Sequence, residues 1–176
     1  MSNENEIGRY VILGSIDGLL AVLGIIVGLA TATQDTGLII KAALGGGIAL
    51  CLTNGIGSYL AETAVEYSRI SNVERAMLEN LRDTHIEKMA KRKIIRDSLI
   101  HGGASFIGSL VPIVPFLFLT GFAAIVLSVV LALCALVLLG LYSGKVSEQG
   151  YIKSIVRMVG LGALIVIVCS LLGIGH

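Results

Sequence analysis

The stretch from Tyr10 to Ala32, YVILGSIDGLLAVLGIIVGLATA, constrains the fold more than any other feature. It is apolar and long enough to cross a bilayer, and it carries one carboxylate, Asp17, well inside. A hydrocarbon core is ~30 Å thick and a helix rises ~1.5 Å per residue. Counted from Tyr10, Asp17 therefore lies roughly 10 Å deep, in the half nearer the N-terminus. An acid within a span costs on the order of 3 kcal/mol on insertion scales. Such a group faces a bundle interior or a wet pathway, where it is paired or binds something. Two readings stand: a neutral, protonated Asp hydrogen-bonded to a neighbouring helix, or a functional acid on an ion pathway.

Composition agrees with that first stretch. Hydrophobic residues make up 55% of the chain and charged residues 14%, and the mean hydropathy is +0.90. Too few polar side chains remain to coat a soluble domain of this length. Five stretches are long enough to span, at about 10–32, 38–60, 99–119, 121–143 and 155–175. None alternates polar with apolar, so these are helices rather than barrel strands. The expected fold class is all-α: a polytopic membrane protein with five transmembrane helices.

The basic residues orient the spans. With the N-terminus in the cytoplasm, that side takes Arg9, the eight basic residues from Arg69 to Arg96, Lys145, Lys153 and Arg157. Lys41 alone faces the other side. The positive-inside rule thus predicts a cytoplasmic N-terminus and a C-terminus, at His176, on the opposite side. The polar start MSNENEIGR leads straight into the first span, so no cleavable signal peptide is expected. Cys51, Cys134 and Cys169 lie in different apolar stretches without CxxC spacing, and read as small buried hydrophobes. No resident cofactor and no nucleic-acid partner is expected. No arrangement of nucleophile, base and oxyanion donors is present, nor any phosphate loop, so an enzyme is not expected.

Along the chain, residues 1–60 hold the N-terminal segment and two spans, 61–98 a charged insert, and 99–176 three further spans. In the first span Gly14 and Gly18 flank Asp17 and allow a close helix contact or a self-association face beside the acid. The second span, LIIKAALGGGIALCLTNGIGSYL, contains Asn54 and Ser58. Asn54 is either interhelical glue worth ~1 kcal/mol or a neutral oxygen donor to a passing cation.

The insert carries acids as far as Glu87 and then a basic run. Ile70, Val73, Met77, Leu81 and Met89 follow helical spacing, which predicts a short amphipathic helix or helix pair continuing the second span. Glu62 and Glu66 lie one turn apart, as do Glu79, Asp83 and Glu87, with Met77, His85 and Met89 nearby. Carboxylates at this spacing can gather a divalent cation, and Met or His suits a borderline metal. A solvated charged face is the alternative, since Arg75 to Glu79 and Glu87 to Lys91 have ordinary ion-pair spacing. The basic run from Lys88 to Arg96 suits anionic headgroups where the chain re-enters the bilayer.

The third span holds His101 near its start, then Pro112 and Pro115, which kink or unwind a helix. The freed carbonyls then need partners or line a cavity. Thr120 and Gly121 allow a tight hairpin into the fourth span, which has no ionisable residue up to Gly140 and reads as lipid-facing scaffold. No internal repeat is evident, so a pathway formed where two copies meet at an axis is the simpler architecture.

The segments SIDGLLAVLGIIVGLA, NGIGSYLAETAVEYS, GASFIGSLVPIVPFLF and LGLYSGKVS with VRMVGLGALIVIVCSLLG occur in that order. Together they resemble the vacuolar iron transporter family over essentially the whole chain. The resemblance implies a two-fold homodimer whose path is lined by the first spans. It implies export of Fe2+, with Mn2+ as a second ion, from the cytoplasm in exchange for protons. Asp17 matches the acid that members place in that path, and the insert matches their metal-collecting domain of Glu and Met residues. Two departures bear on the metal. Many members carry a Glu in the middle of the second span and a Met two turns later, where this chain has Gly46 and Asn54; the insert is also shorter. A membrane-embedded metal-binding or regulatory protein that does not transport, and a carrier of another solute, are the alternatives.

Overall fold

The structure is a computed structural model and describes residues 2–78, 81, 84–146 and 150–174. It consists of α1 (Ser2–Ala32), α2 (Thr36–Met77), α3 (His85–Leu110), a short 3₁₀ turn (Val114–Leu117), α4 (Phe122–Val146) and α5 (Tyr151–Ile174). No strand occurs among the described residues. By length and composition α1, α2, α4 and α5 suffice to cross a membrane. The all-α, multi-pass character expected from composition is what folds.

The expected third span, near 99–119, is a composite, and among the described residues α3 is not one of the four helices that length and composition qualify to cross a membrane. The α-helix ends at Leu110, a turn follows, and the chain passes Pro112 and Pro115 into the 3₁₀ turn. Proline removes a backbone donor and leaves an earlier carbonyl without its helical partner. The Pro112 carbonyl finds one on α4, where the fully buried Ser128 donates its hydroxyl at 2.5 Å. So α4, apolar as it is, supplies a specific polar contact rather than scaffold alone. Gly121, at φ +67°, then turns the chain into α4, a backbone conformation open to glycine.

α1 is the central helix and packs against each of the other four. Its Leu19, Leu23 and Val27 meet Ala132 and Leu136 of α4 and Met158 of α5. Val22 and Ile26 form a second cluster with Ile39, Ala43, Ile113, Phe116 and Ala124. Against α3 the approach is backbone to backbone. A Cβ on Gly18 would run into the Ser105 carbonyl, and one on Gly108 into the Ser15 backbone. The small residues beside Asp17 therefore bring α3 against α1, within one chain.

α2 opens on Asp35, whose carboxylate accepts from the Gly37 and Leu38 amides at 2.8 and 3.2 Å, a helix N-cap. Nothing after Gly57 breaks the helix, and it runs for 42 residues, about 63 Å at the α-helical rise. That is about twice the hydrocarbon thickness, so roughly half of its length exceeds one crossing, and the first half of α3 packs beside its far end. The α2–α3 tip has a small core of Ile70, Leu81 and Ala90 with Val73 packed on it. Met77 and Met89, read as part of the same apolar face, are instead exposed. The lower part of the pair is tied by Lys93, which bridges Glu66 at 2.7 Å and Glu6 of α1 at 3.1 Å.

Candidate functional site

Three polar stripes with near-four-residue spacing meet between α1, α2 and α3. Residues four apart lie one turn above each other on a helix. On α2 the stripe is Asn54, Ser58, Glu62 and Glu66; on α3 it is Lys93, Asp97, His101 and Ser105; on α1 it is Glu6, Tyr10 and Asp17. Gly14 leaves room on α1 for the His101 ring. The side chains interlock as a ladder from the charged end of the bundle to Asp17.

At the bottom is the Glu6–Lys93–Glu66 group. The Glu66 hydrogen bond holds the Lys93 ammonium above the ordinary lysine range, against the opposing effect of burial. One turn up, the Tyr10 hydroxyl donates to the Glu62 carboxylate, while Arg9 donates to the same hydroxyl at 3.1 Å and lies 5.0 Å from the ring centre. The Tyr10 ring stands tilted against the His101 ring with centroids 5.7 Å apart. His101 is buried, its Nδ1 hydrogen-bonded with the buried Ser58 hydroxyl. Above that, Asn54 donates to the Ser105 hydroxyl at 2.7 Å and reaches Asp17 Oδ2 at 3.5 Å, the outer limit of a hydrogen bond.

Asp17 is half-buried, and among the described residues no ion pair reaches it. One turn before it, Leu13 is 46% exposed, so the Asp17 face of α1 borders an open surface. Toward the other end of the bundle the interior closes. Val22, Ile26, Ile39, Ala43, Ile113 and Phe116 fill it with apolar side chains, and among the described residues no titratable group continues the ladder there. Within one chain the ladder is blind at Asp17.

Asp17, Asn54, Ser58, Glu62 and Glu66, singled out from the sequence, thus lie in one seam. Glu87 lies further out, paired with Lys91 at 2.8 Å and accepting from Tyr67 at 3.3 Å. Met77 is exposed at the end of α2, and Glu79 and Asp83 lie outside the described residues. Among the described residues no three His, Cys, Asp or Glu side chains are placed to hold a metal ion. Gly46, where resemblance points to an acid in relatives, faces Ile25 of α1. Sequence reasoning noted His101 without a role and passed over Tyr10, Ser105 and Asp97. The four-residue spacing from Lys93 through Asp97 and His101 to Ser105 was the available signal.

The model of the VIT family matches residues 8–96 and 62–174, two overlapping pieces that cover almost the whole chain. The chain belongs to the VIT family. An uncharacterized protein of Methanocaldococcus jannaschii is 35% identical over 167 residues, which cover 93% of this chain and 87% of that one. Vacuolar iron transporter 1 of Eucalyptus grandis is 23% identical over 204 residues, covering 90% and 82% respectively. That alignment is longer than this chain, so the plant relative holds extra residues inside the matched region. VIT family membership makes this a multi-pass membrane transporter of metal ions at family level, and not an enzyme.

Proposed function

We propose that this protein is a secondary transporter that moves a divalent transition-metal ion, Fe2+ with Mn2+ as a second cargo, out of the cytoplasm in exchange for protons. The path runs at the axis of a homodimer, lined by α1. The observation that carries this reading is Asp17: half-buried, without an ion-pair partner among the described residues, and at the open edge of a ladder that goes no further inside one chain. An intramembrane acid so placed is a functional group by default. A second copy set against the Leu13–Asp17 face would bring two such acids together, and like charges in low dielectric favour a cation or a proton held between them.

In this reading the charged end faces the cytoplasm. Glu87 and the exposed Met77 draw the cation to the α2–α3 tip, together with Glu79 and Asp83. Glu66 and Glu62 pass it up the ladder, exchanging their Lys93 and Tyr10 partners for metal as it arrives. Asn54 and Ser58 give neutral oxygen ligands beside Asp17.

Uptake of Fe2+ and Mn2+ into proteoliposomes under a pH gradient tests the proposal. Wild type is expected to transport both, and Asp17→Asn neither. Equal uptake by the two proteins would end the assignment of Asp17. The apolar closure beyond Asp17 favours one second reading, a metal-binding membrane protein without flux. Saturable Mn2+ binding with no uptake of any ion in a metal panel would select it.

A further inference from the structure

α2 and α3 meet backbone to backbone at a pair of glycines. A Cβ on Gly102 would stand 2.7 Å from the Cys51 carbonyl oxygen and 3.1 Å from the Gly55 Cα. One residue on, a Cβ on Gly103 would meet nothing within 4 Å. The side chain missing at Gly103 therefore serves no helix contact and leaves a groove open between the two helices. Its volume is about 340 Å3, within the ~300–1,000 Å3 of small-molecule sites. Ile56 of α2 and Leu99 of α3 face each other across it, 59% and 71% exposed. In the floor, the Ser98 hydroxyl already donates to the Ile94 carbonyl at 2.7 Å. The groove suits an alkyl chain rather than a polar ligand.

The end of the groove toward the α2–α3 tip is basic. Spacings of three and four residues put Lys88, Arg92, Ile95 and Leu99 on one face of α3. Lys88 and Arg92 are exposed, and no ion pair holds them among the described residues. The nearby acids of α3 are engaged, Glu87 by Lys91 and Tyr67, and Asp97 by Arg96. Arg92 lies seven residues before Leu99, roughly 10 Å along the axis. Headgroups extend ~5–8 Å beyond the hydrocarbon on each side, and a long basic side chain reaches the rest of the way. Tyr59 lines the groove at the same end, and tyrosine is enriched at membrane–water boundaries. Among the described residues α1, α4 and α5 contribute nothing to the groove. The proposed dimer joins along α1, so this face is left to lipid.

We propose that the α2–α3 groove binds one anionic phospholipid, with an acyl chain along Gly103 between Ile56 and Leu99 and the phosphate at Lys88 and Arg92. The site goes beyond the transport reading and is tested apart from it. In the proposed orientation the groove opens to the cytoplasmic leaflet, where anionic lipids attract basic segments next to the membrane. A lipid held at both ends fixes the charged half of α3 at a set height above the bilayer.

The chain has no tryptophan, so a single introduced indole reports on the lipid beside it. Two full-length reporters, Ile56→Trp in the groove and Leu164→Trp on the exposed face of α5, are reconstituted in phosphatidylcholine vesicles with a minor share of brominated phosphatidylglycerol. At low salt the groove reporter is expected to sense the anionic lipid enriched about fivefold or more over the α5 reporter, roughly the preference one basic residue confers. Gly103→Leu, which fills the groove, should bring that ratio to about one, and so should Lys88→Gln combined with Arg92→Gln. Equal quenching of the two reporters would mean an unselective lipid annulus and overturn the proposal. Enrichment that survives Gly103→Leu, in a protein of unchanged melting temperature, would overturn it too. A covalent dimer on mild oxidation of Leu99→Cys, with the native cysteines replaced, would put a second copy on the groove instead. The unsubstituted chain guards against a misfolded variant. In detergent, phosphatidylglycerol should raise its melting temperature more than phosphatidylcholine of the same chains, and an equal rise would contradict the site.

Discussion

Asp17, Asn54 and Ser105 form the upper rung of the ladder, and their geometry ranks them. The amide is closer to the serine, at 2.7 Å, than to the carboxylate, at 3.5 Å. Asn54 is thus held by α3 and leans on Asp17 without neutralising it, which leaves the acid available to a cation. Asn54→Leu should keep the fold and lower metal uptake, read as a raised apparent KM in the proteoliposome assay. Lys93 at the lower rung is structural by the same kind of reasoning. Glu66 is 6% exposed and Lys93 is its cation, so Lys93→Met strands a buried carboxylate at a cost of about 1–3 kcal/mol, or more for a charged group. A lowered melting temperature of the purified protein is the check. Because Glu66 raises the Lys93 pKa above its unfolded value, the pair's stabilisation is complete below the ordinary lysine pKa of ~10.4 and is lost as pH rises through the folded value. The same assay should find the Lys93-dependent stability flat from neutral to mildly alkaline pH.

The helices differ in how far the sequence disclosed them. α1 and the long α2 followed from uninterrupted apolar pattern and from the absence of Pro or Gly after Gly57. α3 was harder, because its first half is charged and its last turn meets two prolines; hydropathy saw one span from 99 to 119 where the backbone makes a helix, a turn and a 3₁₀ segment. The site shows the same divide. Asp17, Asn54 and Ser58 were visible because an acid, an amide and a hydroxyl stand out in apolar spans, and Glu62 and Glu66 because they lie one turn apart in the charged insert. Their partners His101, Ser105, Tyr10 and Lys93 depend on which residues of neighbouring helices lie level with each other, and one sequence does not print that register. The register is fixed by glycine: Gly18→Val would push α1 from the Ser105 carbonyl, an overpacking cost of about 1–3 kcal/mol, seen as loss of monodisperse protein or a lower melting temperature. Ser128→Ala, which strips the Pro112 carbonyl of its donor, should cost about 0.5–1.5 kcal/mol in the bilayer, measured by thermal unfolding.

At the scale of the molecule, α1 is wrapped by α2, α3, α4 and α5 except along the strip where Arg9 and Leu13 are exposed and Asp17 is half-exposed. The ladder arrives at that strip from the charged end and stops, and the apolar cluster around Ile26 and Phe116 bars the way onward through one chain. In the proposed reading the strip meets its copy, so that the path continues between chains. Cysteine cross-linking in native-like membranes tests that claim most directly, with Cys51, Cys134 and Cys169 replaced by alanine. A disulfide requires Cα atoms within ~7 Å. The account predicts that Leu13→Cys gives a covalent dimer on mild oxidation while Leu164→Cys, on the exposed face of α5, does not; a Leu13→Cys protein that stays monomeric while Leu164→Cys cross-links would contradict it.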